Sequence, residues 1–331
     1  MTSLLFRVRR PVLAGIAAGS LALLAACGGS TESASGDDPS GSADSGATKT
    51  IAFSPLGLQI PAMAGLAEGV KGYSQGKGFD VLVQDPNQDP QKQATDLQSV
   101  IESGRVAGAY TIAISPDALR SVVAEALDRK VPLVLSGTPD QYGLDGLQPG
   151  LSFDTIDYAA LGKAVGEELG NCINEKLDGE AEVLMLINST GGAGNEATET
   201  AAKEALAATA PGAKIVSTIT GDERSKAQTD VGSALQGNPN ITAVLGNNDE
   251  GALGALGAFA AAGKDLPCIT EAGGNEETLK AAQEGRIYAV VALQFKDDMA
   301  QVLDTLFSMI ADPSAPGVQL TIPQQVVKAG S

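Results

Sequence analysis

The segment Ile241–Thr270 constrains the fold most, because it holds a complete strand–turn–helix–strand unit. Ile241–Leu245 is a short apolar run with β-branched residues, the pattern of a buried strand. Gly246, Asn247 and Asn248 break it, and an Asn just before a helical pattern caps the orphan N–H groups of the first turn. Asp249 and Glu250 then favour the positive end of the helix dipole. Leu253, Leu256 and Phe259 mark an apolar stripe, and Gly263 stands where a helix C′ residue belongs. Pro267–Thr270 follows as the next strand. In open α/β sheets, ligands bind at such strand C-terminal ends.

The same rhythm runs through most of the chain. Strands are predicted at Ile51–Pro55, Phe79–Gln84, Val106–Ile112, Val131–Leu135 and Leu151–Asp154. Helices fall between them at Ala62–Gln75, Gln91–Ser103 and Pro116–Arg129, the last opened by an early Pro. Gly137–Gly150 is a turn-rich break, after which the pattern restarts with a helix at Tyr158–Glu175. Strands Ala181–Asn188, Lys214–Thr220 and Tyr288–Leu293 follow, with helices Glu196–Thr209, Lys226–Gln236, Glu276–Glu284 and Asp297–Ile310. A last extended piece lies near Val318–Ile322. Crossover helices imply parallel sheets, and the break near Gly150 implies two of them.

A chain of 331 residues is long enough for two lobes with cores of their own. Its formal net charge is −18, and more negative still without Met1–Ala26, which carries Arg7, Arg9 and Arg10 and no acid. Such a polyanion is not a nucleic-acid binder, which needs clustered Lys and Arg. The chain has no His, which removes Ser-His-Asp and Cys-His catalysis and HExxH zinc sites. No nucleophile–base pair, metal site or cofactor motif is expected.

At the N-terminus, Arg7–Arg10 is a cationic region, and Val12–Leu24 is an apolar stretch short for a membrane span. Leu24-Ala25-Ala26-Cys27-Gly28 looks like a bacterial lipobox, with cleavage before Cys27 and diacylation of its thiol. Residues 1–26 then form a lipoprotein signal peptide. Residues 27–48, rich in Ser, Gly and Asp, form a flexible tether. The mature protein is expected on the extracytoplasmic face of the cell membrane, held by its lipid.

Several motifs have bland readings. Gly192-Ala193-Gly194-Asn195-Glu196-Ala197 formally fits a dinucleotide-binding loop. Three residues separate it from the strand end, and Asp222 lies too far downstream for the ribose acid, so a βα loop is the better account. Asp85–Pro90 starts like a calcium loop, but Pro90 occupies the Gly position, so an Asx-type turn is expected. Asp154 and Asp157 suggest paired carboxylates, with N-capping the better role for one of them. Cys172 and Cys268 remain once Cys27 is lipidated. They can pair in an oxidising compartment or stay as two buried thiols, and a bridge is the expectation if they share a lobe.

Along nearly all of its mature length the chain resembles the sugar-type substrate-binding lipoproteins of bacterial ABC importers, the ribose-binding-like branch of type I periplasmic binding proteins. The resemblance rests on Phe79-Asp80-Val81-Leu82-Val83-Gln84-Asp85 with Asp89-Pro90-Gln91-Lys92-Gln93, Val131-Pro132-Leu133-Val134, and Asn248-Asp249-Glu250 with Ala252-Leu253-Gly254-Ala255-Leu256. Gly65–Gly69 and Lys280–Gly285 also fit. It implies an α/β fold of two Rossmann-like lobes with parallel sheets, joined by a three-segment hinge near Phe153, Gln294 and Pro323. Lobe 1 would comprise 49–152 and 295–322, and lobe 2 would comprise 153–294 and 323–331.

The resemblance also implies a monomeric, non-enzymatic receptor that captures a small polar molecule, a sugar or polyol, and delivers it to an ABC permease. Alternatives are a receptor for a non-sugar, amine-bearing solute, or a sensing subunit for a membrane kinase. Asn248 matches the pocket Asn that bonds sugar hydroxyls, and Gln294 stands where the family has a hinge Gln. Other positions depart from the pattern. Gln59 and Met63 flank a first loop without stacking rings, since Ile60-Pro61-Ala62-Met63 replaces the usual aromatics. Gly137-Thr138 replaces an Asp-Arg pair, an Arg is missing near Thr198–Thr200, and Gly273 stands for a cleft Asp. Asp154 and Glu196 complete the candidate ligand set.

Overall fold

The computed structural model describes residues 49–189 and 193–330. The lipobox with Cys27, the tether and part of the Gly192–Ala197 loop therefore lie outside the described residues. The first sheet is built from β1 (Lys49–Ser54), β2 (Phe79–Val83), β3 (Gly108–Thr111), β4 (Leu133–Ser136) and β5 (Leu151–Thr155). Helices α1 (Pro61–Gly76), α2 (Pro90–Glu102) and α3 (Arg120–Arg129) connect its strands. The Pro116–Arg129 helix expected from sequence is split: Pro116–Leu119 forms a 3-10 turn before α3 begins. A second short 3-10 turn, Pro139–Tyr142, sits within the Gly137–Gly150 break.

The second sheet repeats the plan. It contains β6 (Glu180–Ile187), β7 (Gly212–Thr220), β8 (Ile241–Leu245), β9 (Cys268–Gly273) and β10 (Ala289–Leu293). Its helices are α4 (Tyr158–Lys176), α5 (Ala193–Thr209), α6 (Arg224–Gly237), α7 (Asp249–Ala261) and α8 (Glu276–Gln283). Then come α9 (Phe295–Ala311), β11 (Gln319–Thr321) and β12 (Gln324–Val327). The sheet orders are β11-β5-β4-β3-β1-β2 and β12-β10-β9-β8-β6-β7. All pairings are parallel except β12 on β10. Strand order reverses around β1 in one sheet and β6 in the other, so each sheet has a switch point, between β1 and β3 and between β6 and β8.

Each sheet is covered on both faces, which is why its strands read as apolar runs. In the first lobe one face carries Leu97, Ile101, Val122 and Val123, and the other carries Val302, Leu303 and Leu306 of α9. In the second lobe α4 and α5 cover one face, while α6, α7 and α8 cover the other. Helices α4 and α5 run parallel at very short range. A Cβ on Gly162 would lie 2.0 Å from the Thr198 carbonyl oxygen, and one on Gly166 would lie 2.2 Å from that of Ala202. A disulfide joins Cys172 of α4 to Cys268 of β9, with Cα atoms 5.7 Å apart.

The chain passes between the sheets three times. The first passage follows β5 and leads into α4. Phe153 itself is buried inside β5, and the passage begins two residues on, after Thr155. The second runs through Gln294 from β10 to α9, and the third through Ile322 and Pro323 from β11 to β12. The third lies between the other two: Ile322 N–H donates to Thr155 O at 2.9 Å, and Gln294 N–H donates to Pro323 O at 2.8 Å. Strand β12 escapes a sequence reading because Gln324-Gln325-Val326-Val327 is a short, half-polar edge.

Candidate functional site

Parallel strands with short βα turns deliver every turn to one end of the sheet, and a switch point opens a crevice there. In the first lobe, buried Gln93 of α2 closes the floor of that crevice. Its amide nitrogen donates to Ile112 O at 2.9 Å and Pro55 O at 3.3 Å, and its oxygen accepts Ile114 N–H at 2.9 Å. The loops after β1 and β3 are thereby tied together. Asp85 Oδ1 accepts N–H groups from Leu58 and Asn87, so Asp85–Pro90 is an Asx-type turn, and Asp89 caps α2.

The second lobe has its counterpart between β6 and β8. Asn248 adopts extended backbone and caps α7, accepting Gly251 N–H at 2.7 Å. Its amide nitrogen donates to Asn188 Oδ1 at 2.5 Å, and Asn188 donates in turn to Asn195 Oδ1 at 3.3 Å. Asn188, Asp222, Asn248, Asp249, Glu250 and Asn275 line an open pocket of about 270 Å³. Asp222 accepts Ser189 N–H, and Arg224 reaches both Glu250 oxygens while also pairing with Glu277. The pocket's remaining polar atoms are those of amides and carboxylates, a set suited to hydroxyl groups rather than to an anion.

Asp249 explains the glycine that follows β9. Its carboxylate accepts N–H groups from Gly274 and Asn275 and the Thr278 hydroxyl. It lies where a side chain on Gly273 would stand, since a Cβ there would come 2.5 Å from Asp249 Cγ. Beneath it, Glu271 is fully buried, and neither of its oxygens accepts a hydrogen bond from a described donor. Burial, and then the Asp249 charge, raise the Glu271 carboxyl well above its ordinary range.

The sequence-derived candidates are distributed unevenly. Asn248 lines the pocket, and Gly273 borders it under Asp249. Glu196 is exposed in the first turn of α5. Gln59, Met63 and Thr138 stand at the corresponding ends of the first sheet: exposed Gln59 folds back over Gly57, and Thr138 donates to Asp140. Gln294 sits on the second passage and bonds Ala292 O.

Asp154 is held differently from the other candidates. It is buried at the end of β5, facing Asp298 of α9 within the first lobe. Burial first, and then the charge of Asp298 and a hydrogen bond to it, push the Asp154 carboxyl up to about 8. Asp157 caps α4. Asn188, Asp222 and Asn275 were not singled out in the sequence, because each is an ordinary turn residue until β6, β7, β8 and β9 are set side by side.

Known proteins show the same plan. The chain is 30% identical over 249 residues to the ribose import binding protein of Bacillus subtilis (strain 168), covering 74% of this chain and 76% of that one. It is 26% identical over 276 residues to the xylitol-binding protein of Mycolicibacterium smegmatis, covering 81% and 72%. The fold matches an ABC transporter periplasmic solute binding protein from Actinobacillus succinogenes solved with bound D-allose. The TM-score is 0.69 at 18% identity, covering 85% of this chain and 97% of that one. With residues 51–312 matching its family model, this chain belongs to the periplasmic binding protein domain family.

Proposed function

We propose that the protein is an extracytoplasmic receptor that captures a sugar or polyol between its two lobes and presents it to an ABC permease. The observation that carries this reading is the linked Asn188–Asn248 pair at the second switch point, within a pocket of amides and carboxylates. Amides both donate and accept, as hydroxyl-bearing ligands require. The curated relatives support the class, since their names specify ribose and xylitol. Three single-stranded passages form a hinge about which the lobes close on the ligand. The protein acts as a monomer, tethered through a lipid on Cys27. Cys27→Ala is expected to abolish its partitioning into detergent, and unchanged partitioning would remove the anchor.

The test is a thermal-shift screen followed by isothermal titration with D-ribose, xylitol, L-arabinose and D-allose. At least one should raise the melting temperature and bind at micromolar concentration or below. A protein that responds to none of them, and instead to amines or amino acids, is not a sugar receptor.

A further inference from the structure

The structure describes eleven aromatic rings, and nine are used elsewhere. Phe53, Tyr110, Tyr142, Phe153 and Phe259 are buried in the cores. Phe79 stacks on Phe307 with centroids 4.2 Å apart. Tyr73 bonds Asp304, and Tyr288 bonds Glu175 beneath Lys176. Tyr158 and Phe295 remain, 37% and 57% exposed, with no ring or cation partner among the described residues. Each is the first helical residue after a passage between the sheets.

Topology puts both on the sides of the lobes that face one another. Helix α5 starts at the carboxyl end of β6, and α4 runs parallel to it, so their first turns share that end. The Tyr158 ring lies on Gly194, where a Cβ would come 2.6 Å from it, and Gly194 adjoins Asn195, which bonds Asn188 of the pocket. The first lobe mirrors this arrangement. Helix α9 runs alongside α1: a Cβ on Gly69 would meet Met299 at 3.0 Å, and Tyr73 reaches Asp304. The same register sets Phe295 level with Gly65, two residues beyond Met63, where an added Cβ would meet nothing within 4 Å.

We propose that Tyr158 and Phe295 are the aromatic walls of the ligand crevice, one from each lobe. They select ligands with an apolar C–H face beside their hydroxyls. This rests on the solute-receptor reading. A ring stacked on such a face is worth roughly three- to tenfold in affinity.

The experiment titrates the full-length protein with D-ribose, xylitol, L-arabinose and D-allose, alongside Tyr158→Ala, Phe295→Ala and Tyr158→Phe. The chain has no Trp, so tyrosine emission reports directly. For whichever probe the wild type binds, each alanine variant should lose roughly three- to tenfold in affinity while keeping the apo melting temperature. Tyr158→Phe should keep affinity but lose the ligand-induced change in tyrosine emission. If an alanine variant fails to fold, the Leu variant at that position replaces it. Wild-type affinity in either substituted position overturns the pair of walls and leaves the receptor reading intact. A wild type that binds none of the four probes overturns the sugar-receptor reading, and this inference with it.

Discussion

Asn248 spends its two polar atoms in different directions: its oxygen caps α7 through Gly251 N–H, and its nitrogen holds Asn188 across the β6–β8 switch point. The residue is therefore both a cap and half of the candidate ligand surface. Asn248→Ala should cost about 1 kcal/mol of stability through the lost cap. Asn248→Asp keeps the cap but loses the donor and adds charge beside Asp222 and Asp249. It should lower the apo melting temperature slightly, through the lost Asn188 contact and the added charge, while weakening sugar binding about tenfold, or about 1.4 kcal/mol. Calorimetry on both variants checks this, and wild-type affinity in both would make Asn248 purely structural.

The disulfide links positions 96 residues apart, so it constrains a long loop in the unfolded chain. The chain-entropy model gives about 5 kcal/mol for a closure of that length. Reduction, or the paired change Cys172→Ala with Cys268→Ala, should lower the melting temperature. Thiol counting on unfolded, unreduced protein carrying Cys27→Ala should find no reactive thiol, and two would refute the bridge.

Two buried carboxyls make stability depend on pH in an unusual sense. Burial and then Asp298 push the Asp154 carboxyl from its ordinary 3.8 up to about 8, and burial raises Glu271 in the same direction. Between those values the folded chain holds protons that the unfolded chain has released, so stability falls as pH rises through that window. The slope from each such group is about 1.4 kcal/mol per pH unit. Denaturant unfolding at pH 5 and pH 8 should show the more acidic sample to be more stable. Asp154→Asn and Glu271→Gln should each flatten the difference and raise stability at pH 8.

The α4–α5 contact has no room for a methyl group. Gly162→Ala and Gly166→Ala would drive a Cβ into a backbone carbonyl, and backbone cannot rotate away as a side chain can. Each should destabilise by about 1–3 kcal/mol. Gly232→Ala, on α6 where an added Cβ meets nothing within 4 Å, is the control and should be neutral or slightly stabilising.

The fold was legible wherever a rule acts within a few residues. The run Ile241–Leu245, the Asn cap and the acids of the first turn sufficed to place β8 and α7. The capped turns at Asp89 and Asn275 obey the same local chemistry. What escaped depends on partners far apart in sequence. Asp154 meets Asp298 only because β5 and α9 pack together, and nothing near Asp154 announces an acid 144 positions later. The carboxylate over Gly273 comes from Asp249 on another unit, so the glycine reads as a missing ligand acid until the two are seen together. Strand β12 carries too few apolar residues to register as a strand, and backbone pairing alone makes it one.

The interleaved connectivity also sets a schedule. The second lobe is almost wholly encoded by one continuous stretch, whereas the first must wait for α9. Ile51, Phe53, Tyr110 and Val134 are covered by Val302, Leu303 and Leu306, residues that emerge roughly 170 to 250 positions later. A chain threaded N-terminus first thus carries an uncovered apolar sheet face through most of its emergence, the period in which such surfaces aggregate. The half that is begun first is the half that is finished last, so truncation or delay near the C-terminus should harm the N-terminal lobe most.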